Sequence, residues 1–145
     1  MATRLVRTVA STVFHFDALV LTTVGRKSGI VRATPVCGFP GKDGGWLIVA
    51  AAGGTAANPA WYFNIAARPD DVGIEIDGRK IAVTAEQLNG TERAEAWQRT
   101  TAAAPRFASF QRKTDRELPV IRLTAKSGAA APRRPGAAVS EPSIR

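Results

Sequence analysis

The chain is poor in the residues that most enzymes recruit for acid–base, nucleophilic or metal chemistry. Of its 145 residues, one is cysteine, one histidine and one tyrosine. A single cysteine, Cys37, excludes an internal disulfide framework. With His15 alone, no His/Cys metal cluster can be assembled and none is expected. A Cys–His nucleophilic pair has no support, because Cys37 falls in a predicted strand and reads as a small buried hydrophobe. A serine–histidine hydrolase would have to use His15, which precedes the first predicted strand. Long hydrophobic runs are missing too. Nothing approaches the roughly 20 apolar residues that span a bilayer, and Thr, Ser, His and Asp interrupt the N-terminal apolar stretch, so no secretory signal is read. Acidic residues are in deficit: 12 Asp and Glu stand against 20 Lys and Arg, a formal net charge of +8. That excess points to an anionic partner. The cations form no stripe interleaved with exposed aromatics, so nucleic acid is not expected. The expectation is a cytoplasmic protein, with contact at the inner face of the plasma membrane as a sharper alternative.

What is present suits one domain with a real core, since 45% of residues are hydrophobic and 22% charged. Residues 1–16 read as an N-terminal amphipathic helix, with Leu5, Val6, Val9 and Val13 on one face. Its bland role is packing on the domain's own core; weak contact with anionic lipid is the alternative. Residues 17–124 form the domain proper. Strands are predicted over Ala18–Thr23, Ile30–Phe39 and Trp46–Ala52, the last buried on both faces. Asn58 before Pro59 predicts an N-cap and a helix to Ala67. A hairpin follows, Asp71–Ile76 and Arg79–Leu88 about Asp77-Gly78. Asn89 with Glu92 reads as a capping box opening a helix to about Ala103. A short helix runs from Pro105 through Arg112, and Leu118–Leu123 is a last strand, made an edge at its start by Pro119. Residues 125–145 change to Ala, Pro, Gly, Ser and Arg and read as a disordered basic tail. Hairpins outnumber alternating β-α units, which gives an α+β domain with a mostly antiparallel sheet, open or closed into a barrel.

The segment most in need of a functional explanation is Gly25-Arg26-Lys27-Ser28-Gly29, between the first two strands. Glycine at each end lets the loop fold sharply and expose amides, two cations add charge, and Ser28 adds a neutral donor. That is the chemistry of an anion seat, with phosphate as the expected anion. It is not a P-loop, for the spacing is wrong and no helix follows. A solvated hairpin tip uses the same residues. On the following strand Arg32 and Thr34 share a face, and Pro35 marks an edge or bulge.

With the Gly53-Gly54 loop and the run Pro59-Ala60-Trp61-Tyr62-Phe63-Asn64, these pieces resemble, in order, the deazaflavin-dependent nitroreductase family over about Leu19 to Leu123. The resemblance implies a split β-barrel related to FMN-binding barrels, with flanking helices. It implies the reduced 5-deazaflavin coenzyme F420 as cofactor, and hydride transfer to an apolar acceptor such as a quinone, an enone or a nitro compound. The anionic cofactor tail would take Arg26, Lys27, Ser28 and Arg32. The ring would lie among Thr34, Pro35, Val36, Ala50, Ala51, Ala52, Gly53 and Trp61, with Tyr62 and Asn64 as further cofactor-binding residues of the family pattern. Ala104, Phe107 and Phe110 stand where family nitroreductases carry tyrosines. Phe107 and Phe110 are then expected to line the acceptor site, with no catalytic acid assigned and the proton drawn from solvent. The other reading of the same groove is a non-catalytic binder of F420 or a lipid. Oligomeric state is left open.

Overall fold

The computed structural model describes residues 17–126 apart from Asp43. The N-terminal amphipathic segment and the tail beyond Lys126 lie outside the described residues. Six strands close into an antiparallel barrel: β1 (Asp17–Val24), β2 (Val31–Pro40), β3 (Trp46–Val49), β4 (Val72–Ile76), β5 (Arg79–Gln87) and β6 (Val120–Ala125), in the order β1-β2-β3-β6-β5-β4. Pairing of β4 with β1, Leu21 opposite Ile74, completes the ring. The α+β split-barrel expectation is met.

Period-2 alternation decides which residues fill the barrel. Leu19 and Leu21 of β1, Val72, Ile74 and Ile76 of β4, Val83 and Ala85 of β5, and Ile121 and Leu123 of β6 point inward. Helix α1 (Ala60–Ala67) adds Trp61 and Ile65 to that interior. The alternate residues Leu47, Val49 and Val120 point outward. Helix α2 (Gly90–Ala103) covers them with Ala96 and Ala103, and helix α3 (Arg106–Arg112) with Phe107. β3 is therefore buried on both faces, as its unbroken apolar run implies.

Four local readings are corrected. β3 ends at Val49 and not at Ala52. Ala50 still donates its N–H to the Pro119 carbonyl at 2.9 Å. Beyond it the backbone turns left-handed at Ala52, Gly53 and Gly54, with φ of 46°, 67° and 86°, which no strand can follow. Asn58 does not cap α1. Pro59 holds the N-cap position without a side-chain bond, because the Asn58 carboxamide is taken by Arg116. Nor does the Asn89/Glu92 capping box form: α2 has no side-chain cap, and Glu92 instead meets Arg122 at 3.2 Å. Arg122 also meets Glu86 at 2.7 Å, a bond that, as the largest cause, raises the guanidinium pKa and ties α2 to β5 and β6. Pro119 is not at an edge; it is buried, and β6 is flanked by β3 and β5. The last strand runs on through Ala125, and Lys126 donates its N–H to the Ala82 carbonyl at 3.0 Å.

Candidate functional site

The barrel is split between β2 and β3. β1 pairs with β2 without interruption from Asp17↔Gly38 to Val24↔Val31, whereas β3 pairs with β2 only at Phe39↔Leu47 and Pro40↔Trp46. Extending that register would set Val36 against Ala50 and Thr34 against Ala52. The left-handed turn at Ala52–Gly54 prevents it, so residues 31–38 keep one edge without a strand partner. Opposite-residue pairing puts Arg32, Thr34 and Val36 on the face of Thr23, Leu21 and Leu19. Val36 accordingly packs against the barrel interior, while the exposed Pro35 faces outward.

Helix α3 flanks the split. Phe107 packs edge-on to Phe39, with ring centroids 5.6 Å apart, and Arg106 Nη2 reaches Cys37 Sγ at 3.2 Å. At its other end α3 presses on the turn: a Cβ on Gly54 would lie 2.6 Å from the Phe110 carbonyl oxygen. Gly54 therefore serves both angle and space. Phe110 is half-buried against Phe107, centroids 5.3 Å apart. Phe107 is 8% exposed and sits within the helix–sheet core.

The Gly25–Gly29 turn stands at the far end of β2. Arg32 and Val36, four residues apart, are separated by about 13 Å of extended chain. Gly29 takes φ of 72°. Gly25 serves another purpose, since a Cβ there would meet the Ser28 hydroxyl at 2.5 Å and the Ile30 carbonyl at 3.2 Å. The amide cradle expected here is largely consumed internally. Gly25 N–H bonds the Ile30 carbonyl, Gly29 N–H the Gly25 carbonyl, and Ile30 N–H the Ser28 hydroxyl oxygen. Arg26 N–H donates to Asn64 Oδ1 at 3.0 Å, and Asn64 Nδ2 donates to Thr23 Oγ1 at 3.1 Å. Asn64 is thus a brace beneath the turn, on α1. Arg26 lies with Cζ 4.7 Å above the Phe63 ring. Arg26, Lys27 and Arg32 are exposed and make no ion pair among the described residues, while the described pairs use Arg93, Arg122 and Lys42 elsewhere. Among the described residues the turn is a cationic tip without a carboxylate partner.

The other named residues divide by position. Ala50 and Ala51 are buried, and Ala52 and Gly53 exposed, on the β3 side of the split. Trp61 is 8% exposed inside the barrel. Tyr62 donates its hydroxyl proton to Gln87 Oε1 at 2.7 Å and so is directed at β5 rather than at the split. One residue of consequence gave no signal in the sequence. Arg116, in the charged run Asp115-Arg116-Glu117, reads as solvated surface, yet its guanidinium bonds the carbonyls of Ala50, Ala51 and Thr55 and the Asn58 side chain.

The exposed cations of the turn thus stand at one end of the unpaired stretch of β2, and the Ala50–Gly54 turn and α3 stand at the other. A family model described as F420H(2)-dependent quinone reductase matches residues 1–125. The F420H(2)-dependent quinone reductase Rv1261c of Mycobacterium tuberculosis is 36% identical over 111 residues, 74% of this chain and 72% of the relative. Among solved structures, an F420-H2 dependent reductase, FDR-A, superposes with a TM-score of 0.66 at 35% identity, covering 74% of this chain and 93% of the other. A structure described as a domain-swapped dimer superposes equally well, with a TM-score of 0.66 at 31% identity over 85% of this chain and 99% of its own.

Proposed function

The chain belongs to the F420H(2)-dependent quinone reductase family, and from that premise we propose that it reduces a quinone in the groove between β2 and the Ala50–Gly54 turn. As a member it is an F420H2-dependent oxidoreductase, and a purely non-catalytic binder is not favoured. Reduced F420 supplies a hydride in a two-electron step when bound.

The residues present fit that cofactor. The observation that carries the reading is the exposed set Arg26, Lys27 and Arg32, without an ion pair among the described residues, at one end of a strand whose other end opens on Thr34, Val36, Ala50 and Ala52. Charge-assisted bonds from the three cations, with the Ser28 hydroxyl, would hold a phosphodiester and carboxylate tail. Thr34, Val36 and the Ala50–Gly53 backbone would bound the ring, where only small side chains leave room for a flat system. Pro35, Trp61, Tyr62 and Asn64 would support this groove from behind or beside it. α3 would close the acceptor side, with Phe110 at its surface and Phe107 packed beneath.

Apolar enclosure excludes water from the face where hydride moves, and holding acceptor and donor at reacting distance supplies the main rate effect. Tyr62 is occupied with Gln87, so the groove offers no phenol and the proton that completes the hydroquinone comes from water. A quinone, whose reduced oxygens water protonates readily, suits this site better than a nitro compound, which builds charge on oxygens with no donor nearby.

The test follows F420H2 oxidation with menadione and with a nitroimidazole, beside F420 and FMN titrations by fluorescence. Turnover of menadione well above the nitroimidazole, and tighter binding of F420 than FMN, are expected. The reverse order in either would defeat the reading.

Among the described residues no helix is long and apolar enough to cross a membrane. The proposal extends to a cytoplasmic protein whose Arg4–Phe14 segment touches anionic lipid. Co-flotation with phosphatidylglycerol vesicles but not phosphatidylcholine vesicles tests it.

A further inference from the structure

Arg116 lies in the irregular segment between α3 and β6 and is half-buried. Four of its bonds fall on one short stretch of chain. Nε donates to the Thr55 carbonyl at 2.9 Å, Nη1 to the Ala50 carbonyl at 3.2 Å and to Asn58 Oδ1, and Nη2 to the Ala51 carbonyl at 3.0 Å. No described carboxylate pairs with it, so the cation is spent entirely on neutral acceptors. Gln111 steadies the same segment from α3, donating Nε2 to the Arg116 carbonyl at 2.7 Å and accepting Leu118 N–H at 3.0 Å.

This geometry has a consequence for the backbone. No peptide bond in the described chain is cis, and in a trans peptide the C=O and the N–H of the same unit point in opposite directions. With the Ala50 and Ala51 carbonyls aimed at Arg116, the N–H groups of Ala51 and Ala52 point away from it. No described residue accepts either of them, although Ala51 is only 5% exposed. An unpaired donor so placed is uncommon in folded chains and calls for a partner. A cation hydrogen-bonded to the carbonyl of a peptide also polarises its N–H and strengthens it as a donor.

We infer that Arg116 is a positioning residue for the reaction: it holds the Ala50–Asn58 loop so that the Ala51 and Ala52 N–H groups present two polarised donors to the carbonyl edge of a planar ring in the groove. The inference rests on the groove proposed above. Its chemical demand is a ring carbonyl oxygen that accepts both N–H groups, so that two preorganised amides fix the ring's register and its distance from the acceptor. The guanidinium is needed for its shape, since one lysine ammonium cannot span acceptors on four residues.

The test compares the full chain with Arg116→Lys, Arg116→Ala and Asn58→Ala, measuring F420 affinity by fluorescence, kcat and KM with menadione, and Tm. Arg116→Lys should remain folded yet lose about tenfold or more in kcat/KM, with weaker F420 binding. Methylguanidinium should restore much of the loss in Arg116→Ala, while sodium chloride at equal ionic strength should not. Asn58→Ala leaves the cation in place with one bond fewer, and a severalfold loss of affinity at unchanged Tm is expected. Affinity and turnover equal to the parent in Arg116→Lys and Asn58→Ala overturn the inference. So does an activity loss that follows Tm alone and that methylguanidinium does not relieve. A parent chain that binds no F420 would instead defeat the proposed function, so the two failures are distinguishable.

Discussion

The carboxamide of Asn64 accepts the backbone N–H of Arg26 at 3.0 Å, joining helix α1 to the cationic turn across 38 positions of sequence. Its other end donates to the hydroxyl of Thr23, which is 1% exposed. The turn is therefore held from below by a buried amide and is not a free loop. Asn64→Ala strands the Thr23 hydroxyl and the Arg26 amide, for an expected loss of about 1–3 kcal/mol in stability. Thermal or urea unfolding measures that loss. F420 titration should show weaker binding as the turn loosens, and unchanged stability would contradict the bracing role.

The cations above that brace are exposed and make no ion pair among the described residues, so their contribution should be electrostatic and sensitive to salt. Arg26→Ala, Lys27→Ala and Arg32→Ala should each weaken F420 binding by about tenfold at low ionic strength. The difference from the parent should narrow as salt rises. Titrations at two or more salt concentrations check this. Three variants that bind like the parent would return the turn to an ordinary solvated hairpin tip.

Gly54→Ala tests the join between the turn and α3. The residue sits at φ of 86°, and a methyl group would lie 2.6 Å from the Phe110 carbonyl oxygen and 3.0 Å from its Cα. Both strain and collision oppose the change, and a stability loss of about 2 kcal/mol or more is expected. Because α3 must move, menadione turnover should fall further than the change in folded fraction explains. Melting curves and kinetics on the same sample separate the two effects. A variant as stable as the parent would show that α3 is not tied there.

Phe107 and Phe110 should respond differently to a hydroxyl. Phe107 is 8% exposed between sheet and helix, so Phe107→Tyr buries a polar group and should cost about 1–3 kcal/mol in stability with little change in acceptor preference. Phe110 is half-buried at the flank of the split, and Phe110→Tyr should fold normally. If it lines the acceptor site, the new phenol should raise nitroimidazole reduction more than quinone reduction. Equal changes with both acceptors would place it away from the reacting atoms.

Much of this protein is legible in its amino-acid order. Apolar runs at Ala18–Thr23, Asp71–Ile76 and Leu118–Leu123 announce strands, and once these pair the two-residue repeat sets which faces turn inward. The unbroken run at Trp46–Ala52 announces a strand covered on both sides, of which Trp46–Val49 forms one. The Gly-Arg-Lys-Ser-Gly turn and the Pro-Ala-Trp-Tyr run, taken together, point to the deazaflavin enzymes. These are local signals, and local sequence carries them.

Which residues meet across long separations was decided by the fold alone. Ala50, Ala51 and Ala52 look like three more strand residues, yet the third adopts φ of 46° and the carbonyls of the first two bond Arg116, 65 and 66 positions away. Asn58 looks like a helix cap and Glu92 like half of a capping box, yet each has a distant arginine as partner. Asn64, named by the family pattern, also braces the turn. Asn58 had a local use as a cap worth about 1 kcal/mol, against a part-buried charge-assisted bond to Arg116 of greater worth. Only closure of the barrel brings those partners within reach, so the tertiary bond wins.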